Sequence, residues 1–159
     1  MTGGPSDGDT LGDVSTRGPD GGQAGADRDD APRGLSVYEA VGGMPFFEEL
    51  VERFYRGVAT DLLLRPLYPG DLSGPMRRLA LFLAQYWGGP TTYSEERGHP
   101  RLRMRHVPFV IGEAERDAWM RHMAAALGSA VEEHDIHPSV EARLYDYFTM
   151  AADAMINTR

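Results

Sequence analysis

Arg101-Leu102-Arg103-Met104-Arg105-His106-Val107-Pro108-Phe109 sets one histidine among arginines, ahead of a proline, between two long helical patterns. Downstream, Glu113 to Glu133 reads as a single helix, with Trp119, Met123, Ala126, Leu127 and Ala130 sharing a face. Pro138 suits the first turn of a last helix, whose Val140, Leu144, Tyr147, Phe148, Ala151 and Met155 point inward. Upstream, Pro75 opens a helix with a stripe of Met76, Leu79, Leu83 and Tyr86, widened by Phe82 and Trp87 and stopped by Gly88-Gly89-Pro90. Residues 88–112, which hold His99 and His106, show no sustained period and predict no long helix.

Further upstream, Ser36-Val37-Tyr38-Glu39 has the spacing of a capping box, and Gly42-Gly43 ends the short helix it opens. Pro45 then starts a helix with Phe47, Leu50, Val51, Phe54, Tyr55 and Val58 on one stripe. Asp61 to Gly74 is a connector broken by Pro66, Pro69 and Gly70. No segment alternates with period two. The fold class is therefore all-α, with four main helices and a short first one.

Composition divides the chain near residue 34. Residues 1–34 carry seven Asp and three Arg with few apolar groups, and read as a disordered acidic tail before a folded domain at 35–159. The tail accounts for −4 of the net −8, so the domain is acidic as well, which disfavours nucleic-acid binding. The tail lacks the basic start and apolar core of a signal peptide, and no apolar run approaches the roughly 20 residues of a membrane span. There is no cysteine, which excludes thiol catalysis and zinc–thiolate sites. A cytoplasmic location is expected. Every one of the 16 basic residues is Arg, a pattern that codon bias explains, so no single arginine stands out by its type.

Tyr55 and Trp119 put a phenol and an indole donor on inward stripes. Each either bonds a backbone carbonyl as a core residue, or both converge on a ligand in a shared cavity. Tyr68, between Pro66 and Pro69, is either a rigid lid or a surface residue. His134 and His137 flank the last turn, near a helix C-terminus that favours imidazolium. His122 follows Trp119 by three positions, at the edge of its face. No histidine pair has the i, i+4 spacing of a helical metal site, and no phosphate loop or nucleophile elbow is present. A site built on one histidine needs a cofactor that brings its own remaining ligands, as haem does. The arginines at 97, 101, 103 and 105 fit a solvated loop, a phosphate contact or haem-carboxylate pairing. The bare residues leave all three open.

Taken together, Leu35 to Thr158 resembles the group II truncated haemoglobins of the actinobacterial, HbO-like branch. The resemblance rests on Tyr38-Glu39-Ala40-Val41-Gly42-Gly43, Arg53-Phe54-Tyr55 and Leu67-Tyr68-Pro69. It continues through Gln85-Tyr86-Trp87-Gly88-Gly89-Pro90, Tyr93-Ser94-Glu95, Arg97-Gly98-His99-Pro100 through His106, and Glu115-Arg116-Asp117-Ala118-Trp119. It implies a globin-like, two-over-two helical sandwich around haem b. His106 matches the proximal iron ligand, and Tyr55, Tyr68 and Trp119 match distal residues that stabilise the gas. Leu79 matches an apolar distal-wall residue and Arg105 a propionate partner, with Tyr93, His99 and Arg103 as further haem contacts.

Two departures from that pattern stand out. The connector Gly70-Asp71-Leu72-Ser73-Gly74 is one residue shorter, which affects the pose of Tyr68. Pro75 occupies a distal position that is often polar or small, and helix 75–87 has no histidine, so that helix supplies neither a donor nor a second iron ligand. The implied partners are oxygen and other diatomic gases, namely nitric oxide and carbon monoxide, or peroxide. Three functions follow: a gas-binding haem protein, a haem redox enzyme (nitric oxide dioxygenase or peroxidase-like) with an external electron donor, and a haem-free helical interaction module. The chain is compatible with a homo-oligomer.

Overall fold

The structure, a computed structural model, describes residues 34–158. The reading of residues 1–34 as a disordered tail lies, but for Gly34, outside the described residues. Seven α-helices follow in order: α1 (Val37–Ala40), α2 (Met44–Ala59), α3 (Ser73–Tyr86), α4 (Thr92–Arg97), α5 (Leu102–His106), α6 (Glu113–His134) and α7 (Pro138–Ala154). A 3-10 turn (Arg65–Leu67) lies between α2 and α3, and there is no strand among the described residues.

The helix starts follow local chemistry. Ser36 Oγ accepts from Glu39 N at 3.1 Å, and Glu39 Oε1 accepts from Ser36 N at 3.2 Å, the reciprocal box that opens α1. Gly42 and Gly43, at φ +89° and +88°, turn the chain sharply into α2. The third helix begins at Ser73, two residues before the expected Pro75. The Asp71 carboxylate accepts from Ser73 N at 2.9 Å and organises the turn early. Pro75 then occupies the third helical position, where a missing N–H leaves no bond unmade.

Residues 88–112 carry more local structure than their lack of an apolar period reveals. No long helix forms there, as the sequence implies, but two short ones do, α4 and α5, and His106 is the last residue of α5. Helices of six and five residues are too short to display an apolar period, so tertiary contacts hold them. Tyr93 is fully buried against Phe82, with rings edge to face at 5.4 Å. Gln85 brackets Ser94 with bonds of 2.7 and 3.0 Å, and Arg77 pairs with Glu96. The histidines at the last turn also differ from one another. His134 ends α6 as expected, but His137 is the N-cap of α7, its Nδ1 accepting from Ser139 N at 3.1 Å. An accepting nitrogen cannot belong to an imidazolium donor, so helix-dipole stabilisation does not explain His137.

The layers form two facing pairs. Helix α2 packs beside α3 and across onto α6, and α6 packs beside α7. Tyr86 at the end of α3 meets Tyr147 of α7 at 4.3 Å between ring centroids, closing the far side. This is the two-over-two arrangement, and its shared interior is one core that includes Phe47, Phe54, Leu79, Leu83, Met123 and Phe148. Helix α1 is sealed against the end of α3, where Tyr38 N donates to Trp87 O at 3.0 Å. That approach requires glycine: a Cβ on Gly89 would stand 2.5 Å from the Tyr38 ring and 2.8 Å from Ala84 O.

Two predictions follow from these contacts. Gly89→Ala is expected to destabilise the fold by about 1–3 kcal/mol, through overpacking against backbone that cannot yield, read as a lower urea midpoint. The second concerns Glu49, whose carboxyl is held down to about 2 from the ordinary 4.5, first by the Arg53 hydrogen bond and then by His134. The His134 bond, with the Arg53–Glu133 pair beside it, ties α2 to the end of α6. A carboxylate depressed on folding contributes fully above its unfolded value, and the contribution drains away as pH falls toward the folded value. The stability gap between wild type and Glu49→Gln should therefore narrow on acidification from about pH 6 to about pH 3, as measured by urea melts.

Candidate ligand site around His106

Among the described residues, His106 is the one buried polar or charged residue, at 1% exposure. It is the last residue of α5, a helix that reaches the interior only through Leu102 and His106, four apart and hence on one face. The ring Nδ1 lies 2.5 Å from Leu102 O. A carbonyl oxygen can only accept, so Nδ1 carries the proton, and in the neutral ring the lone pair sits on Nε2. That Nε2 is buried. One backbone bond thus fixes both the ring's tautomer and its direction, as is usual for a histidine that ligates a metal.

The segment after His106 is held from the far end of the chain. Asn157 Nδ2 donates to Phe109 O at 2.8 Å and to His106 O at 3.3 Å, while its Oδ1 accepts from Ile111 N at 2.9 Å. The backbone N–H of Asn157 donates to Ile111 O at 2.9 Å. Sequence reasoning missed Asn157. It follows the last helix in no recognisable pattern and acts on residues about fifty positions away, so no local signal points to it.

The expected distal residues come from three elements. Tyr55 from α2 and Tyr68 from the connector meet edge to face, with ring centroids 5.5 Å apart. Trp119 from α6 packs on Phe54 at 5.1 Å and on Phe148 at 6.0 Å. All three are buried, as are Leu79 on α3 and Tyr93 on α4. Trp119 Nε1 is a buried donor with no hydrogen-bond acceptor. Trp87 Nε1 shares that condition, but its ring lies under the Arg143 guanidinium at 5.4 Å, at the end of α3. Tyr68 is a core residue, which resolves the choice left open between lid and surface.

The remaining expected contacts are less enclosed. Arg105 is half-buried, its Nη2 3.5 Å from Arg97 O. Arg103 and His99 are exposed, and His99 Nδ1 accepts from Arg101 N at 3.2 Å. Arg101 itself takes the left-handed conformation at φ 47°, immediately before α5. His122 is the other residue whose role the sequence did not reveal: its Nε2 lies 2.6 Å from Asp61 Oδ2. Among the described residues no three His, Cys, Asp or Glu side chains gather as a metal site. A groove of about 600 Å³ lined by Tyr38, Met44, Val51, Met76, Ala80 and their neighbours lies between α2 and α3, and none of the candidate residues lines it.

The comparisons with known proteins agree with this architecture. Residues 36–156 match the family model for bacterial-like globins. The group 2 truncated haemoglobin YjbI of Bacillus subtilis is 43% identical over 107 residues, covering 67% of this chain and 80% of that protein. Among solved structures, a thermostable haemoglobin from the actinobacterium Thermobifida fusca superposes with a TM-score of 0.73 at 52% identity, covering 78% of this chain and 98% of that one. The haemoglobin of Chloroflexus aurantiacus gives 0.74 at 48% identity, covering 78% and 99%. With the two-over-two sandwich and these matches, the chain belongs to the bacterial-like globin family, among its group II truncated haemoglobins.

Proposed function

We propose that this chain binds haem b through His106 and reversibly binds oxygen, with other diatomic gases as competing ligands. The observation that carries the reading is the buried His106 ring, whose Nδ1–H bond to Leu102 O leaves the Nε2 lone pair for iron. The donor set fits haem, because one histidine suffices when the porphyrin supplies four more ligands. Haem would contribute a ferrous iron that binds a diatomic gas and moves electron density onto it. Leu79, Phe54 and Phe82 offer apolar walls, and Arg105, with Arg103 nearby, offers cations for the two carboxylates. Tyr93 and His99 complete the proposed contacts.

Tyr55, Tyr68 and Trp119 are the proposed stabilisers of the gas. A hydrogen bond to a charged acceptor contributes roughly 1.5–3 kcal/mol, and 1.4 kcal/mol is about tenfold in an equilibrium constant. Donors of this kind in a dry pocket act mainly by slowing release. The buried Trp119 N–H supports this role, since an indole donor without an acceptor is costly unless it has a partner to meet. Slow release suits a scavenger, sensor or redox catalyst better than a bulk carrier. Nitric oxide dioxygenase or peroxidase-like turnover on the same site would need an electron donor outside this chain. We place the functional unit at residues 35–159 and the protein in the cytoplasm. No helix among the described residues is long and apolar enough to cross a membrane.

The test begins with the visible absorption spectrum. Purified or reconstituted wild type should show a Soret band that His106→Ala shifts or abolishes; no haem uptake by either protein would overturn the reading. In stopped-flow oxygen release, Tyr55→Phe, Tyr68→Phe and Trp119→Phe should each be faster than wild type by about tenfold. Removing residues 1–34 should leave both spectrum and release unchanged.

A further inference from the structure

We propose that Asp61, His122 and Arg65 are positioning residues, a brace that fixes Tyr68 relative to Trp119 by tying the connector to α6. The inference rests on the reading of Tyr68 and Trp119 as donors to a bound gas.

The brace starts at the end of α2. Asp61 Oδ1 accepts from Leu63 N at 2.9 Å and Leu64 N at 3.0 Å, and Asp61 O accepts from Arg65 N at 2.9 Å. Three consecutive amides therefore depend on one residue. From there the chain runs directly into Tyr68: Leu67 N donates to Leu64 O at 2.9 Å and Tyr68 N to Arg65 O at 3.2 Å. The second carboxylate oxygen, Oδ2, reaches across the fold to His122 Nε2 at 2.6 Å. The Asp61 side chain is 9% exposed and that of His122 21%, so water competes weakly for the pair. Arg121 lies at the rim, 3.5 Å from Oδ2 and itself exposed. The His122 bond, and after it the Leu64 and Leu63 amides, hold the Asp61 carboxyl below the ordinary carboxylate range. The acceptor is thus charged and the bonds to it correspondingly strong.

His122 lies three residues after Trp119 on α6, so the two side chains project from neighbouring positions on one helix. What the brace holds in register is the backbone that presents Tyr68 and the helix that presents Trp119. The helix surface is cut to admit it. A Cβ on Gly57 of α2 would stand 2.3 Å from His122 Nδ1, so only glycine leaves the ring its place. Arg65 secures the other end of the connector. Its Nη1 donates to Pro69 O at 2.9 Å and Tyr68 O at 3.3 Å, and its Nη2 to Gly70 O at 2.9 Å. A guanidinium can span three carbonyls in this way; an ammonium has neither the planar fork nor the reach. Tyr68 is therefore flanked by fixed backbone on both sides, although its connector holds two prolines and a glycine. A small displacement of a donor from its acceptor is enough to weaken a hydrogen bond steeply, so the brace should show in ligand release.

The experiment measures oxygen release from the full-length, haem-loaded protein, together with amide hydrogen exchange of the haem-free protein. His122→Ala and Asp61→Asn are expected to speed release about tenfold, with His122→Gln restoring a donor and most of the slow rate. Arg65→Lys should act in the same direction. In a Tyr68→Phe background, His122→Ala should add nothing, because the residue through which it acts has lost its donor. Exchange at the Leu63, Leu64 and Arg65 amides should quicken in haem-free His122→Ala while that of α7 does not. Unchanged release in His122→Ala, or an effect that multiplies with that of Tyr68→Phe, would overturn the brace. If Tyr68→Phe alone left release unchanged, the donor role and the functional brace would fall together; the haem-free exchange data would still separate a held connector from a loose one.

Discussion

The hydrogen bond from His106 Nδ1 to Leu102 O is the contact on which the site depends. A buried imidazole is costly unless its polar atoms are satisfied, and a short helix offers few partners. Placing the ring one turn after Leu102 solves this with the chain's own backbone and leaves Nε2 as the basic nitrogen. The cost falls on α5, which is too short to be stable alone. It is carried by Leu102 in the core on one side and by the Asn157 amide across residues 106–111 on the other. The candidate proximal side is thus built from a five-residue helix, a loop and the C-terminal segment, clasped by hydrogen bonds.

The proposed gas-stabilising residues use the opposite strategy. Tyr55 and Trp119 stand on α2 and α6, which pack against each other across the sandwich, and inherit their rigidity from core packing. Trp119 Nε1–H, buried without an acceptor, costs about 1–3 kcal/mol that an apolar residue of similar size would not. Such violations of local economy concentrate where a protein binds or reacts. Tyr68 has no helix to stand on. Its position comes from a polar brace, Asp61 with His122 and Arg65, in place of an apolar face.

These differences explain what could be read from residues alone. The stripes of α2, α3, α6 and α7 each run for several turns, so period and burial agree: Phe47, Leu50, Val51 and Phe54 are buried as their spacing requires. The two-over-two sandwich was legible through the quoted motifs. Helices α4 and α5 were not, since no apolar repeat fits in six residues. The start of α3 was misplaced because Pro75 is a strong marker while the Asp71 side chain, which sets the true start, is a weak one. His137 was assigned a charge role that its position as N-cap contradicts.

Sequence by itself determined the fold class, the four long helices, and which of their aromatic groups face inward, because helical period couples side-chain direction directly to position along the chain. Tertiary structure alone decided which nitrogen of His106 bonds the backbone, how Tyr68 is held, and what Asn157 and His122 do. Each of those depends on a hydrogen bond whose geometry or partner lies outside any local pattern, 61 residues away for Asp61 and His122 and 46 for Asn157 and Ile111. A hydrogen bond needs its two atoms within a few tenths of an ångström and a favourable angle, and only the folded chain sets that distance.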